Sequence, residues 1–192
     1  VHEGDIVKRT KQVLSVPVGE GLLGRVVSPL GVPLDGKGIL LESKISFLPV
    51  EREAPSVIDR ESVNTTLATG IKVLDADIPI GRGQRELIIG DRKTGKTSFL
   101  LSTLKNQILN GGIAVYAAIG KKKSDIKGVM DYFKREGLLD KIIIVATSAY
   151  DSPSLIFLTP YAGATIAEYF RDQGQDVVLV MDDLSTHSKF YR

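Results

Sequence analysis

The sequence predicts an α/β fold built on a mainly parallel sheet. From Gln84 onward, apolar runs of strand length alternate with helical patterns, the arrangement of βαβ units. Those runs are nearly continuous in apolar character, which marks strands covered on both faces. The bulk composition agrees: 192 residues, 43% hydrophobic and 25% charged, are enough for a real core and exclude disorder, collagen and coiled coil.

The first 65 or so residues are punctuated by Gly and Pro and read as short strands and turns. Asp5-Ile6-Val7, Val13-Leu14-Ser15-Val16 and Arg25-Val26-Val27 are the strand candidates, and Gly31 to Gly38 reads as a loop. Further on, strands are expected at Glu86-Leu87-Ile88-Ile89, Ile113 to Ile119, Ile142 to Val145 and Val177 to Met181. Lys96 to Asn110 places Leu100, Leu104 and Ile108 on one helical stripe, and Gly111-Gly112 supplies a left-handed cap. Ser124 is the expected N-cap of a helix that turns Ile126, Val129, Met130 and Phe133 to the sheet and ends at Gly137. Pro153 to Gly174 reads as broken, because Pro160 does not fit a helix interior without a kink.

Several function classes drop out early. The chain has no Cys, so disulfides, thiolate metal sites and thiol catalysis are excluded. A net charge of +2 gives little support to a nucleic-acid groove, and no apolar run approaches the ~20 residues of a membrane helix. The chain opens on Val1 without a targeting segment and ends at Arg192 without a helix stop, so it reads as a piece of a longer protein. His2 and His187 are lone residues far apart, a poor basis for metal or acid–base work. Tyr161, Tyr169, Phe170 and Phe190 could stack on a base, but core packing is the commoner fate of such rings.

Chemistry concentrates in Gly90-Asp91-Arg92-Lys93-Thr94-Gly95-Lys96-Thr97, a glycine, four residues, then Gly-Lys-Thr. The glycines let the backbone fold into a nest of N–H groups around phosphate oxygens, and the following helix adds the positive end of its dipole. Lys96 is expected to bridge the β- and γ-phosphates, the Thr97 hydroxyl to ligate Mg²⁺, and the Ser98 N–H to reach the α-phosphate. Val177 to Met181 then ends in Asp182, the strand-end acid that helps hold Mg²⁺. Together they point to ATP or ADP bound with Mg²⁺. Asp183, on the other side of the strand end, is expected to act as a cap or an ion-pair partner.

The residues around this loop resemble the alpha subunits of F-type ATP synthases. The resemblance rests on Pro79-Ile80-Gly81-Arg82-Gly83-Gln84-Arg85-Glu86 running into Gly90-Asp91-Arg92, on Glu3 to Thr10, Val16 to Gly19 and Gly24 to Val27, and on Glu168 to Asp172 and Asp182 to Ser185. It spans essentially the whole chain. It implies a RecA-like P-loop core over residues 26–192, preceded by the tail of a small β-barrel over residues 1–25, with a helical domain and an interface arginine beyond Arg192. It also implies beta-type catalytic subunits alternating with this one in a hexameric ring, a central stalk within, and a peripheral place on a membrane sector conducting protons or sodium. No nucleic-acid partner is expected. The side implied is the cytoplasmic, matrix or stromal face of an energy-coupling membrane.

Hydrolysis needs a group that orients or deprotonates the attacking water. The resemblance places that group just after the strand that follows the P-loop helix, where alpha subunits usually carry Gln and beta subunits Glu; here it is Lys121. Lysine is no carboxylate base, so the expectation is a non-catalytic, regulatory nucleotide site, with no catalytic residue assigned. The alternative is a catalytically active RecA-like ATPase such as an export or secretion motor. Asp125 reads as a helix-dipole partner. Lys93 and Lys121 both depart from the family's usual Gln. The run Lys121-Lys122-Lys123 has two readings, a solvated loop or added charge directed at phosphate.

Overall fold

A computed structural model describes residues 5, 6, 8, 9, 11, 13–91 and 93–192. The expectations on Glu3, Gly4, Val7, Thr10, His2 and Arg92 fall outside these residues. In chain order the elements are β1 (Ser15–Val18), β2 (Val26–Val27), β3 (Ser46–Pro49), β4 (Thr66–Leu67), α1 (Lys72–Asp77), β5 (Ile80–Gly81) and α2 (Lys96–Leu109). They continue with β6 (Ile113–Lys121), α3 (Lys123–Arg135), β7 (Ile142–Ser148), α4 (Pro153–Asp172), β8 (Val177–Asp182) and α5 (Leu184–Tyr191). No helix among the described residues is long and apolar enough to cross a membrane.

The main sheet has the order β2-β7-β6-β8 and is parallel throughout, with Tyr116 opposite Ile144 on one side and Val180 on the other. Alternation along each strand sorts its side chains into two layers. Ala114, Tyr116 and Ala118 join Ile142, Ile144 and Val180 against Leu104 and Ile108 of α2 and Val129 and Phe133 of α3. Ile113 and Val115 join Ile143 and Val145 against Ala162, Ile166 and Phe170 of α4, with Val16, Val18 and Leu22 extending that layer. Helices therefore cover both faces, and β6 and β7 are buried as their apolar runs predict. This is the α/β parallel-sheet architecture of a P-loop NTPase core.

The stripe on α2, the four sheet-facing residues of α3 and the left-handed glycines at 111 and 137 (φ 88° and 70°) stand as expected. Four expectations are corrected. Glu86 to Ile89 forms no strand; Leu87 and Ile89 are exposed and no described strand runs alongside them. An apolar run becomes a strand only when a neighbour completes its hydrogen-bond ladder, and the run itself does not reveal that neighbour. β1 is shifted two residues toward the C-terminus from the expected strand and pairs antiparallel with β3, where Pro17 is tolerated in a two-stranded sheet.

Ser124 is not the cap of α3. β6 runs on to Lys121, so the helix opens at Lys123 with Lys122 as its cap residue, and the Ser124 hydroxyl turns to Asp125 Oδ1 at 3.2 Å. α4 runs unbroken through Pro160 for 20 residues. A helix-interior proline costs about 3 kcal/mol. The buried stripe of Ile156, Ala162, Ile166 and Phe170 offsets it, at about 1.5–3 kcal/mol for each large apolar side chain removed from water. Gly163 lets this helix lie close to the sheet: a Cβ there would stand 3.2 Å from Ala117 Cβ and 3.3 Å from Leu179 Cδ1.

The Gly31–Gly38 loop is tied down by Arg25. Its guanidinium meets Asp35 with two bonds, Nε to Oδ2 at 2.7 Å and Nη2 to Oδ1 at 3.1 Å, and the Val26 and Lys37 N–H groups also donate to that carboxylate. Burial works to raise the Asp35 pKa, but these four bonds and the adjacent charge outweigh it and hold the carboxyl at about 2.

Candidate functional site

The site lies beyond the C-terminal ends of β6 and β8, where open α/β sheets place their ligands. Four elements converge on one cleft of about 360 Å³. Its lining includes Thr97 and Leu101 from α2, Tyr116 and Lys121 from β6, Asp125 and Ile126 from α3, and Asp182 from β8.

The loop from Gly90 leads directly into α2. Gly95 caps that helix in the left-handed region at φ 91°, and Lys93 also has positive φ, 64°. Glycine adopts such angles freely, while Lys93 does so at a cost of order 1 kcal/mol. The Thr94 hydroxyl donates to the Asp91 carbonyl at 2.8 Å and closes the turn. Lys96 folds back over the loop and donates to the Gly90 carbonyl at 2.5 Å and to the Asp91 carbonyl. Thr97 and Ser98 are exposed in the first turn of α2, at the positive end of the helix, where the first N–H groups have no acceptor within it. Among the described phosphate-loop residues, only Thr97 lines the cleft itself.

Asp182 is 8% exposed and has both carboxylate oxygens engaged. Oδ2 accepts from the Tyr116 hydroxyl at 2.7 Å, and Oδ1 accepts from Lys121 Nζ at 2.6 Å. The same ammonium reaches Asp183 Oδ2 at 3.2 Å, while Asp183 Oδ1 accepts from the Thr186 N–H at 2.6 Å and caps α5. Asp183 thus performs both roles the sequence suggested. Burial drives the Tyr116 phenol far up, helped by the nearby Asp182 charge. Burial alone would lower the Lys121 pKa, but Asp182 and Asp183 overcome it and hold the ammonium above its ordinary value. The Asp183 carboxyl is lowered, because the Thr186 bonds and Lys121 outweigh its partial burial.

Lys121 is therefore not part of a solvated loop. It sits at the end of β6 and points at the strand-end acids, a direction that neither reading of the lysine run foresaw. Tyr116 was missed altogether; the signal was a hydroxyl-bearing ring within an otherwise apolar strand. Asp125 stands in the first turn of α3 as expected, and also lines the cleft. Phe170 is core, and Tyr161 packs edge-on to His187 and tilted against Phe157.

Among the described residues, no three His, Asp or Glu side chains are placed to hold a metal ion between them. The donors that do share the cleft, the Thr97 hydroxyl and the Asp182 carboxylate, are the hard oxygen ligands that Mg²⁺ takes together with phosphate oxygens and water. In kind they fit such a cation.

Comparison with known proteins points the same way. Residues 70–192 match the profile of the ATP synthase alpha/beta family, nucleotide-binding domain. ATP synthase subunit alpha from Clostridium botulinum strain Hall is 50% identical over 192 residues, which is 100% of this chain and 38% of that protein. The subunit of the same name from strain Eklund 17B is 51% identical over the same span and shares. The chain thus spans 38% of the length of these relatives.

Proposed function

The chain belongs to the ATP synthase alpha/beta family, and we propose that it supplies the nucleotide site of a non-catalytic, regulatory alpha-type subunit. In this reading the loop Gly90, Asp91, Arg92, Lys93, Thr94, Gly95, Lys96, Thr97 and Ser98 binds the phosphates of ATP or ADP. Thr97 and Asp182 are the residues that would hold Mg²⁺, Asp182 by giving up its bond to Lys121, and the ion would screen the phosphate charge. Lys96 swings from the loop carbonyls to the β- and γ-phosphates, trading two neutral acceptors for charged ones.

One observation carries the non-catalytic part. The position that would orient the attacking water holds Lys121, whose ammonium is committed to Asp182 and has no free pair to accept a proton. Nucleotide binding here would fix the conformation of the subunit without turnover.

The wider setting is proposed from the relatives. Beta-type catalytic subunits would alternate with this one in a hexameric ring around a central stalk, peripheral to a proton- or sodium-conducting membrane sector. Residues 1–25 would be the tail of a β-barrel and 26–192 the RecA-like domain. Val26, the first residue of β2, begins the first strand to join the parallel sheet.

Incubating the intact subunit with Mg-ATP, removing free nucleotide and following bound ATP and ADP for hours tests the reading. Retained, unhydrolysed ATP is expected. Steady conversion to ADP that Lys96→Ala abolishes would instead identify an ATPase of the export-motor kind.

A further inference from the structure

Two charges compete for Asp182. Its Oδ1 is held by Lys121 and its Oδ2 by Tyr116, so a cation entering this wall of the cleft meets a carboxylate with no unengaged oxygen. A cation that took the place against Oδ1 would displace Lys121 Nζ, whose side chain is only 21% exposed and whose other partner, Asp183, lies at the same strand end. A displaced ammonium would then sit close to a divalent ion in a partly enclosed space, where like charges repel more strongly than in water. Asp125 and Asp182 line the cleft, and Lys121 is the cation the fold itself brings to Asp182 and Asp183.

We propose that the Lys121 ammonium occupies the divalent-cation position against Asp182, so that the nucleotide is held at this site with little dependence on Mg²⁺. This rests on the nucleotide-binding reading of the loop and Asp182. A triphosphate arriving without metal would find positive charge from Lys121 in the cleft wall and from Lys96 over the loop, together with the N-terminal end of α2. The ammonium is a monovalent, non-exchangeable stand-in. It neutralises Asp182 and faces the phosphates, but it cannot bridge two phosphate oxygens as a coordinated metal does.

The test compares the intact subunit with Lys121→Gln and Lys121→Arg, using a fluorescent ATP analogue titrated in excess MgCl₂ and in EDTA. Wild type and Lys121→Arg should lose less than about three-fold in affinity on metal removal, and Lys121→Gln at least about ten-fold. With Mn²⁺ as an EPR-visible probe in the presence of nucleotide, Lys121→Gln should bind the ion at least about ten-fold more tightly than wild type. Equal dependence on metal in wild type and Lys121→Gln overturns this inference and leaves the nucleotide site standing. Should Lys121→Gln fail to fold, the wild-type titration alone decides, since a loss beyond about ten-fold in EDTA overturns the inference. Absence of nucleotide binding by folded wild type in both conditions overturns the site reading and this inference with it.

Discussion

The Tyr116 hydroxyl donates to Asp182 Oδ2 across 2.7 Å, joining β6 to the end of β8 from inside the layer that α2 and α3 cover. The phenol, 2% exposed, brings a single polar atom into an apolar layer and spends it on the acid that the site needs oriented.

Tyr116→Phe keeps the ring and removes that donor, leaving Oδ2 of a nearly buried carboxylate one bond short. We expect a loss of about 1–3 kcal/mol in unfolding free energy, measured by urea titration. An unchanged midpoint would mean that Lys121 alone satisfies Asp182.

The Arg25–Asp35 pair predicts a pH dependence with a defined sign. Asp35 is depressed to about 2 in the fold, below its ordinary value, so its contribution is complete above about pH 4 and is lost as pH falls through about 2. Its side chain is 1% exposed, and the contribution is about 2 kcal/mol. Asp35→Asn should flatten the stability profile across that interval. A profile that still falls equally steeply there would assign the acid sensitivity to other carboxylates.

Gly163→Leu should destabilise the fold by about 1–3 kcal/mol or more in denaturant unfolding, by forcing α4 off β6 and β8. Leucine favours helix, so propensity works against the predicted loss and cannot be its cause. No loss would show that Ala117 and Leu179 yield without penalty.

Lys96→Ala removes the charged donor from the P-loop. Affinity for ATP should fall by about ten-fold or more, while unfolding changes little because Lys96 bonds only to carbonyls of its own loop. A fluorescent-nucleotide titration beside a thermal melt separates the two effects; unchanged affinity would remove Lys96 from the site.

What could be read from the sequence was what side chains announce by spacing. The Leu100, Leu104 and Ile108 stripe, the buried runs of β6 and β7, and the Gly-rich loop each carry their own signature. What escaped depends on partners distant in the chain. Ser15 pairs with Pro49, Glu86 to Ile89 has no described neighbour, and Pro160 sits in a helix because the sheet below rewards the whole stripe. In the site, Asp182 was legible as a strand-end acid. The direction of Lys121 was not, because only the parallel pairing of β6 with β8, which sets Ala118 beside Asp182, brings the two side chains together.

That same pairing works as an error check. Slide β6 by one residue against β8, and Tyr116 turns to the α4 layer while Lys121 swings off the acid, with the side chains of every other position inverted as well. A misthreaded chain would thus leave Asp182 bare and the cleft unfinished.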